Sequence, residues 1–214
     1  MSIKNLIIIG ARKLGREVYS LAKQVLHAEE QEWRIKGFLD DAPDVLDNFR
    51  YNCPIITSAE NYVPQHGDVF ISALGDGKSR KYYTILMEQK GAEFINIVHP
   101  TAIISDGVQM GYGNIIGPNV HVSNDVSVGN HTLIQTNAIL GHDAIFSDYC
   151  TAGAFVFVGG AAKIQKGAYL ATRCTILPNA NVGAGAIVGA SSLVLKKVPE
   201  NTKVFGIPAT ILKQ

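Results

Sequence analysis

Between Ile104 and Val194 an apolar side chain stands at every sixth position, sixteen times without a slip, from Ile104, Met110 and Ile116 through Leu140 to Val188 and Val194. With 47% of the chain hydrophobic, such a run arises by chance on the order of once in 10⁵ trials. Four residues after each of these positions comes a smaller residue, as at Val108, Ala138, Cys150 and Ala186, with Asn114 the exception. Glycine often follows the apolar position directly, as at Gly111, Gly141 and Gly159, where a sharp bend is expected to need it. An α-helix, with about 3.6 residues per turn, cannot keep a six-residue stripe on one face. Each hexad therefore reads as one short strand and a turn. Strands this short bury nothing alone, so three per coil stack into a triangular prism, a parallel β-helix with an 18-residue period. An ordinary β-sandwich would show strands of varied length with turns about every eight to twelve residues.

Ahead of the repeat the pattern changes. Residues 5–10 form a continuous apolar run of strand length, and Leu14, Val18, Leu21, Ala22 and Val25 then follow at helical spacing. Further strands are predicted at 35–39, 69–74 and 94–98, with a helix over 78–89. Strands alternating with helices predict a small parallel sheet of the doubly wound, Rossmann-like α/β kind, whose ligands bind beyond the carboxyl ends of the strands. Those ends carry residues 10–15 (GARKLG), Asp40 and Asp41, and the Gly75-Asp76-Gly77 turn. The first loop opens a helix, whose free N–H groups favour a phosphate. Asp40 and Asp41 are spaced to accept hydrogen bonds from a ribose or a base. The loop lacks the middle glycine of the dinucleotide fingerprint and has Arg12 and Lys13 there, two cations that can bind phosphate themselves. The alternative is a sheet domain that only packs against the repeat.

A formal net charge of +1 over 214 residues gives no sign of nucleic-acid binding or of membrane insertion. Three cysteines, two of them at inward small positions, speak against a disulfide framework and for a reducing compartment. No stretch approaches the length of a membrane span, and no basic leader stands at the start. The expectation is a soluble, cytoplasmic protein. After Val194 the repeat is expected to stop at Lys196-Lys197-Val198-Pro199, with the segment around Ile207-Pro208 covering the open end of the stack or contributing to a ligand site.

Of six histidines, His27 and His66 lie in polar, surface-like segments, and His99 precedes a proline at the junction. His142 falls two places after Leu140, on the outward side of the repeat, with Asp143 beside it. Eighteen residues on, in the same column, are Gly160 and Ala161, which leaves a shelf of exposed backbone N–H groups. A neighbouring carboxylate can orient an imidazole for general-base work. His121 and His131 have no such column, and a solvated surface histidine is the alternative for His142. No metal-ligand spacing, nucleophile elbow or Walker loop occurs, so direct transfer without a covalent enzyme intermediate is the chemistry expected.

The opening NLIIIG-ARKLG-REV, the FLDD at Phe38 to Asp41, VHPTAIIS at 98–105, GHD at 141–143 and FGIPA at 205–209 together resemble the hexapeptide-repeat sugar O-/N-acyltransferases related to bacterial sialic acid O-acetyltransferase, UDP-N-acetylbacillosamine N-acetyltransferase and GDP-perosamine N-acetyltransferase. The resemblance covers the whole chain. It implies a nucleotide-sugar-binding domain over 1–99 and a left-handed β-helix acyltransferase domain with a C-terminal cap over 100–214. It also implies acetyl-CoA as co-substrate, no metal, a small-molecule sugar acceptor, and a homotrimer with active sites between subunits. By the same resemblance His142 is the general base and Asp143 its support. Gly160 offers backbone to the coenzyme or the thioester carbonyl, and Gly189, Ile207 and Pro208 line the coenzyme path. The loops that match Gly10, Asp40 and Asp41 bind the nucleotide of the acceptor, and Arg12 and Gly75, at the same strand ends, are candidates beside them from their position alone. Lys13 and Leu14 stand where the family loop often has glycine and histidine, and Thr151 where some members have a second active-site histidine.

Overall fold

The computed structural model describes residues 4–28 and 33–212. The chain divides into two compact units, Met1–Pro100 and Thr101–Gln214.

The first unit is a five-stranded parallel sheet. Its central strand β1 (Lys4–Ile9) is a run of apolar residues because it is covered on both faces. The helix α1 (Lys13–Ala28) follows, burying Val18, Leu21, Ala22 and Val25 along one stripe. Then come β2 (Trp33–Leu39), β3 (Ile55–Thr57), β4 (Asp68–Ser72), α2 (Gly77–Gln89) and β5 (Glu93–Phe94). The sheet order is β3-β2-β1-β4-β5, so β1 pairs with β2 on one side and β4 on the other. The crevice at such a reversal of strand order is where sheets of this kind take ligands. Ile7, Ile9, Leu39, Phe70, Met87 and Phe94 form one core cluster. Gly15 lets α1 start hard against the end of β1, since a Cβ there would overlap the Gly10 carbonyl oxygen. Two details differ from the pattern-based expectation. The edge strand β3 carries no clear signal, being three residues long and only partly buried. The 94–98 run divides into β5, whose pairing to β4 includes the bond from the Ile95 N–H to the Phe70 carbonyl, and a separate pair, Ile97–Val98.

The second unit is a parallel β-helix of two-residue strands on three faces. One face stacks Ile103–Ile104, His121–Val122, Ile139–Leu140, Phe157–Val158, Thr175–Ile176 and Leu193–Val194 in parallel register. From Ile116 to Val194 every sixth residue is buried, and only the first coil leaves Ile104 exposed and Met110 half-buried. Asn114, the polar exception, is buried and its Oδ1 accepts hydrogen bonds from the Thr132 N–H (2.8 Å) and hydroxyl (2.8 Å).

The turns correct the glycine reading. The left-handed residue lies three places after the apolar position, as at Asn119 (φ 54°), Asp125 (φ 59°), Asp143 (φ 58°) and Ala161 (φ 55°). The glycines just after the apolar position serve close stacking instead. A Cβ at Gly141 would lie 2.7 Å from the Gly160 nitrogen, and one at Gly153 2.8 Å from the Thr172 nitrogen. The end of the repeat is also corrected. Coils continue through Lys197–Val198 and Lys203–Phe205, offset by sixteen rather than eighteen residues, as the pairings Asn181 with Lys197 and Ile187 with Lys203 show. Thr210–Ile211 then folds back antiparallel on Val204 and Phe205, ending that face with a paired edge.

Candidate active site

Because the coils stack in register, the turn at 141–144 stands directly over that at 159–162. The Ala161 N–H donates to the His142 carbonyl (2.8 Å), and the Asp143 N–H to the Asn124 carbonyl (3.0 Å). Asp143 tolerates its left-handed backbone, as short polar residues do. His142 Nδ1 is 2.7 Å from Asp143 Oδ2, with the side chains 70% and 62% exposed. A neutral imidazole that donates from Nδ1 to this carboxylate keeps a lone pair on Nε2 for an incoming proton. The ring lies across Gly160: a Cβ there would be 2.6 Å from His142 Nε2 and 2.7 Å from Cε1. The shelf read from the sequence is thus partly occupied by the imidazole itself. Among the described residues no hydrogen bond uses the Gly160 N–H.

The remaining β-helix candidates lie elsewhere. Gly189 sits beneath Phe205, whose ring a Cβ would overlap. Ile207 and Pro208 are exposed in the closing segment, where Leu193 donates its N–H to Gly206 (3.0 Å) and accepts from Ala209 (2.8 Å). These three gather at the C-terminal end of the stack, away from the turn that carries His142, Asp143 and Gly160. Thr151 is buried. His121 is half-buried with Nε2 3.5 Å from the Ser105 hydroxyl. His131 is buried, stacked on Tyr149 with ring centroids 5.3 Å apart. His99, whose pKa burial lowers, pairs with Gln24 (2.8 Å).

In the first unit a cavity of about 470 Å³ opens at the carboxyl ends of β1, β2 and β4 and is lined by Gly10, Arg12, Asp40, Asp41 and Gly75. All five acceptor-loop candidates therefore converge. They are not equivalent. The Asp40 carboxylate, 7% exposed, accepts from the N–H groups of Ala11 (2.9 Å) and Ala42 (3.1 Å) and lies 3.6 Å from Arg12 Nε. It ties the β1 and β2 loops together. Asp41 is exposed, and Tyr83 Oη, also lining the cavity, is 3.4 Å from its Oδ2. Burial, with the Glu60 and Asp41 carboxylates, pushes the Tyr83 pKa to about 12, so it stays a hydrogen-bond donor. Gly10 needs its positive φ (93°), and a Cβ there would come within 2.8 Å of Leu74. Gly75 is open, with Leu14 at 3.9 Å the nearest atom to a Cβ. The α1 N-terminus has no acidic residue in its first turn. That of α2 is filled by Asp76, whose carboxylate accepts from the Ser79 N–H (2.8 Å) and hydroxyl (2.8 Å). An anion in the cavity is thus favoured at α1. Ser79 and Tyr83 also line the cavity but give no sequence signal, because nothing in their spacing on α2 ties them to the β1 loop.

Among the described residues no group of three or more His, Cys, Asp or Glu is placed to hold a metal, and no helix is long and apolar enough to cross a membrane.

Comparison with known proteins agrees with this architecture. Residues 5–84 match the PglD N-terminal domain. A histidine-to-alanine mutant of GDP-perosamine N-acetyl transferase from Caulobacter crescentus, in complex with CoA and GDP-perosamine, superposes with a TM-score of 0.88 at 22% identity, covering 100% of this chain and 99% of that one. The acetyltransferase domain of PglB from Neisseria gonorrhoeae, in complex with acetyl coenzyme A, gives 0.88 at 21% identity over 98% and 99%. Serine acetyltransferase 2 of Arabidopsis thaliana is 29% identical over 145 residues, 64% of this chain but only 38% of that protein's length. Residues 5–84 thus resemble the PglD N-terminal domain, the repeat that follows forms a β-helix, and the chain shares the fold of these two bacterial acetyltransferases.

Proposed function

We propose that the protein is an acetyl-CoA-dependent acetyltransferase that acylates an amine or hydroxyl of a nucleotide-linked sugar. The observation that carries this reading is the His142–Asp143 pair, held on an outward turn with Nε2 free of the carboxylate. His142 Nε2 takes the proton of the acceptor nitrogen or oxygen as that atom attacks the thioester carbon. Asp143 accepts from Nδ1–H and stabilises the imidazolium. The Gly160 N–H is a donor for the developing oxyanion. Collapse forms the new C–N or C–O bond and breaks C–S, and the imidazolium returns its proton to the departing CoA thiolate. General-base assistance is worth about 10²–10⁴-fold and an oxyanion donor about 10²–10³-fold.

The cavity beside Arg12, Lys13 and the α1 N-terminus suits the phosphates of the acceptor, and Asp41 and Tyr83 its hydroxyl groups. The two solved relatives with coenzyme bound, one of them also with a sugar nucleotide, support both halves of this assignment. Gly189, Ile207 and Pro208 are assigned to the coenzyme path. Outward Ile103, Ile139 and Phe157 are exposed apolar residues on one face, with half-buried His121 between the first two, and this face supports a trimer with active sites between subunits. The three cysteines, none of them in a disulfide, support a reducing, cytoplasmic setting.

A second reading, a small free hydroxyl acceptor, is favoured by the match to serine acetyltransferases. One experiment separates the two. Acetyl-CoA is incubated with the protein and a panel of UDP-, GDP- and dTDP-linked amino sugars beside L-serine, and thiol release is followed. Turnover with a nucleotide-linked sugar and none with serine is expected. The reverse result would replace the first reading with the second.

A further inference from the structure

Arg80 is 1% exposed and is the bulkiest fully buried side chain among the described residues. It lies in the first turn of α2, its N–H bonded to the Asp76 carbonyl (2.9 Å). Taking a guanidinium out of water is costly, and partners must offset the loss. Two of its partners are main-chain oxygens: Nη1 donates to the carbonyls of Leu74 (2.8 Å) and Gly75 (3.3 Å). Leu74 and Gly75 line the cavity, but the guanidinium does not. These two bonds tie the backbone of the 74–75 loop to the buried cation. The same loop buttresses the phosphate side: a Cβ on Gly10 would meet Leu74 Cδ2 at 2.8 Å and the Ala73 carbonyl at 3.3 Å. A shift of residues 73–75 therefore carries over to Gly10 and to the start of α1.

We propose that Arg80 is a positioning residue of the cavity, which orients the 74–75 loop, and with it Gly10, for a nucleoside diphosphate that Arg80 itself never touches. The inference rests on the reading of the cavity as the site of the acceptor's nucleotide. It extends that reading to a residue outside the lining, whose removal weakens acceptor binding and spares the chemistry at His142.

The test uses the full-length protein with UDP and GDP as probes, measured by calorimetry, and acetyl-CoA as the control ligand. Arg80→Met removes the donors, and Arg80→Lys keeps the charge with a different donor geometry. For whichever nucleotide binds the native protein, Kd is expected to rise about tenfold or more in Arg80→Met and about threefold or more in Arg80→Lys. Acetyl-CoA affinity and kcat at saturating acceptor stay within about twofold, so that KM for the acceptor moves alone. If Arg80→Met does not fold, Arg80→Lys carries the test. Unchanged nucleotide affinity in the folded variants overturns the role of Arg80 while leaving the nucleotide site standing. A parallel loss of acetyl-CoA affinity, or failure of Arg80→Lys to fold, overturns it in favour of a purely structural arginine. Binding of neither nucleotide by the native protein overturns the reading of the cavity and the Arg80 inference with it.

Discussion

Placing a methyl group on Gly160 sets it directly against the His142 ring, because the new Cβ would lie 2.6 Å from Nε2 and 2.7 Å from Cε1. Ordinary contact begins near 3.4 Å, so the imidazole must retreat by about 1 Å, and its 2.7 Å bond to Asp143 must bend or break with it. The backbone is indifferent to the change. Gly160 is not among the glycines with positive φ, and the three atoms nearest the new Cβ all belong to His142. Stability should therefore hold or rise slightly, by about 0.4–1 kcal/mol, as for other glycines whose conformation alanine accepts. A catalytic group misplaced by about 1 Å loses roughly 10²-fold in rate, equivalent to about 2.7 kcal/mol in the barrier. Gly160→Ala is expected to show that loss in kcat by thiol release, with a melting temperature no lower than that of the native protein. Turnover within about threefold of native would refute the placement of the base. A large fall in melting temperature would show instead that Gly160 serves the stacking of the coils.

Two further outcomes follow from the ionisable groups. The Ser79 N–H and hydroxyl hold the Asp76 carboxyl below the usual carboxylate range, so its contribution is present above the unfolded pKa of about 3.9 and is lost as pH falls through the folded one. Asp76→Ala should cost about 1 kcal/mol near pH 7, as for other N-caps, and the gap to native should close in acid. Urea titration followed by the emission of Trp33, the single tryptophan, reads this directly, and a gap that widens in acid contradicts it. Burial pushes the thiol of Cys174 to about 12 and that of Cys53 to about 11. At pH 8 only about one Cys53 in a thousand is thiolate, so a disulfide reagent should label these two cysteines quickly only after unfolding. Rapid labelling of either in the native protein would contradict its raised thiol pKa.

The β-helix is legible in the sequence because every coil repeats the same demand: one inward apolar residue per face, six residues apart. Which residue takes the left-handed turn is less legible. Asn119, Asp125 and Asn137 are types that tolerate it, but Tyr149, Phe155 and Arg173 adopt it as well, carried there by the coils above and below. Counting in sixes also fails after Val194, where the offset falls to sixteen and only strand pairing reveals the final coils. His142 and Gly160 were within reach because eighteen residues is one full coil. In the sheet domain the loops that line the cavity follow from strand order. The contrast between Asp40, bound to backbone N–H groups, and Asp41, exposed beside Tyr83, does not. Nor does Arg80, since nothing in the spacing of α2 says which of its side chains turns back under the 74–75 loop.

The proposed transfer depends on His142 as the base. The direct measurement is kcat/KM for His142→Ala and His142→Asn with acetyl-CoA and the best acceptor of the panel, together with KM for acetyl-CoA and the melting temperature. The expected result is a loss of at least about 10²-fold in kcat/KM in both variants, with coenzyme KM and melting temperature unchanged. Near-native turnover in either folded variant would contradict it.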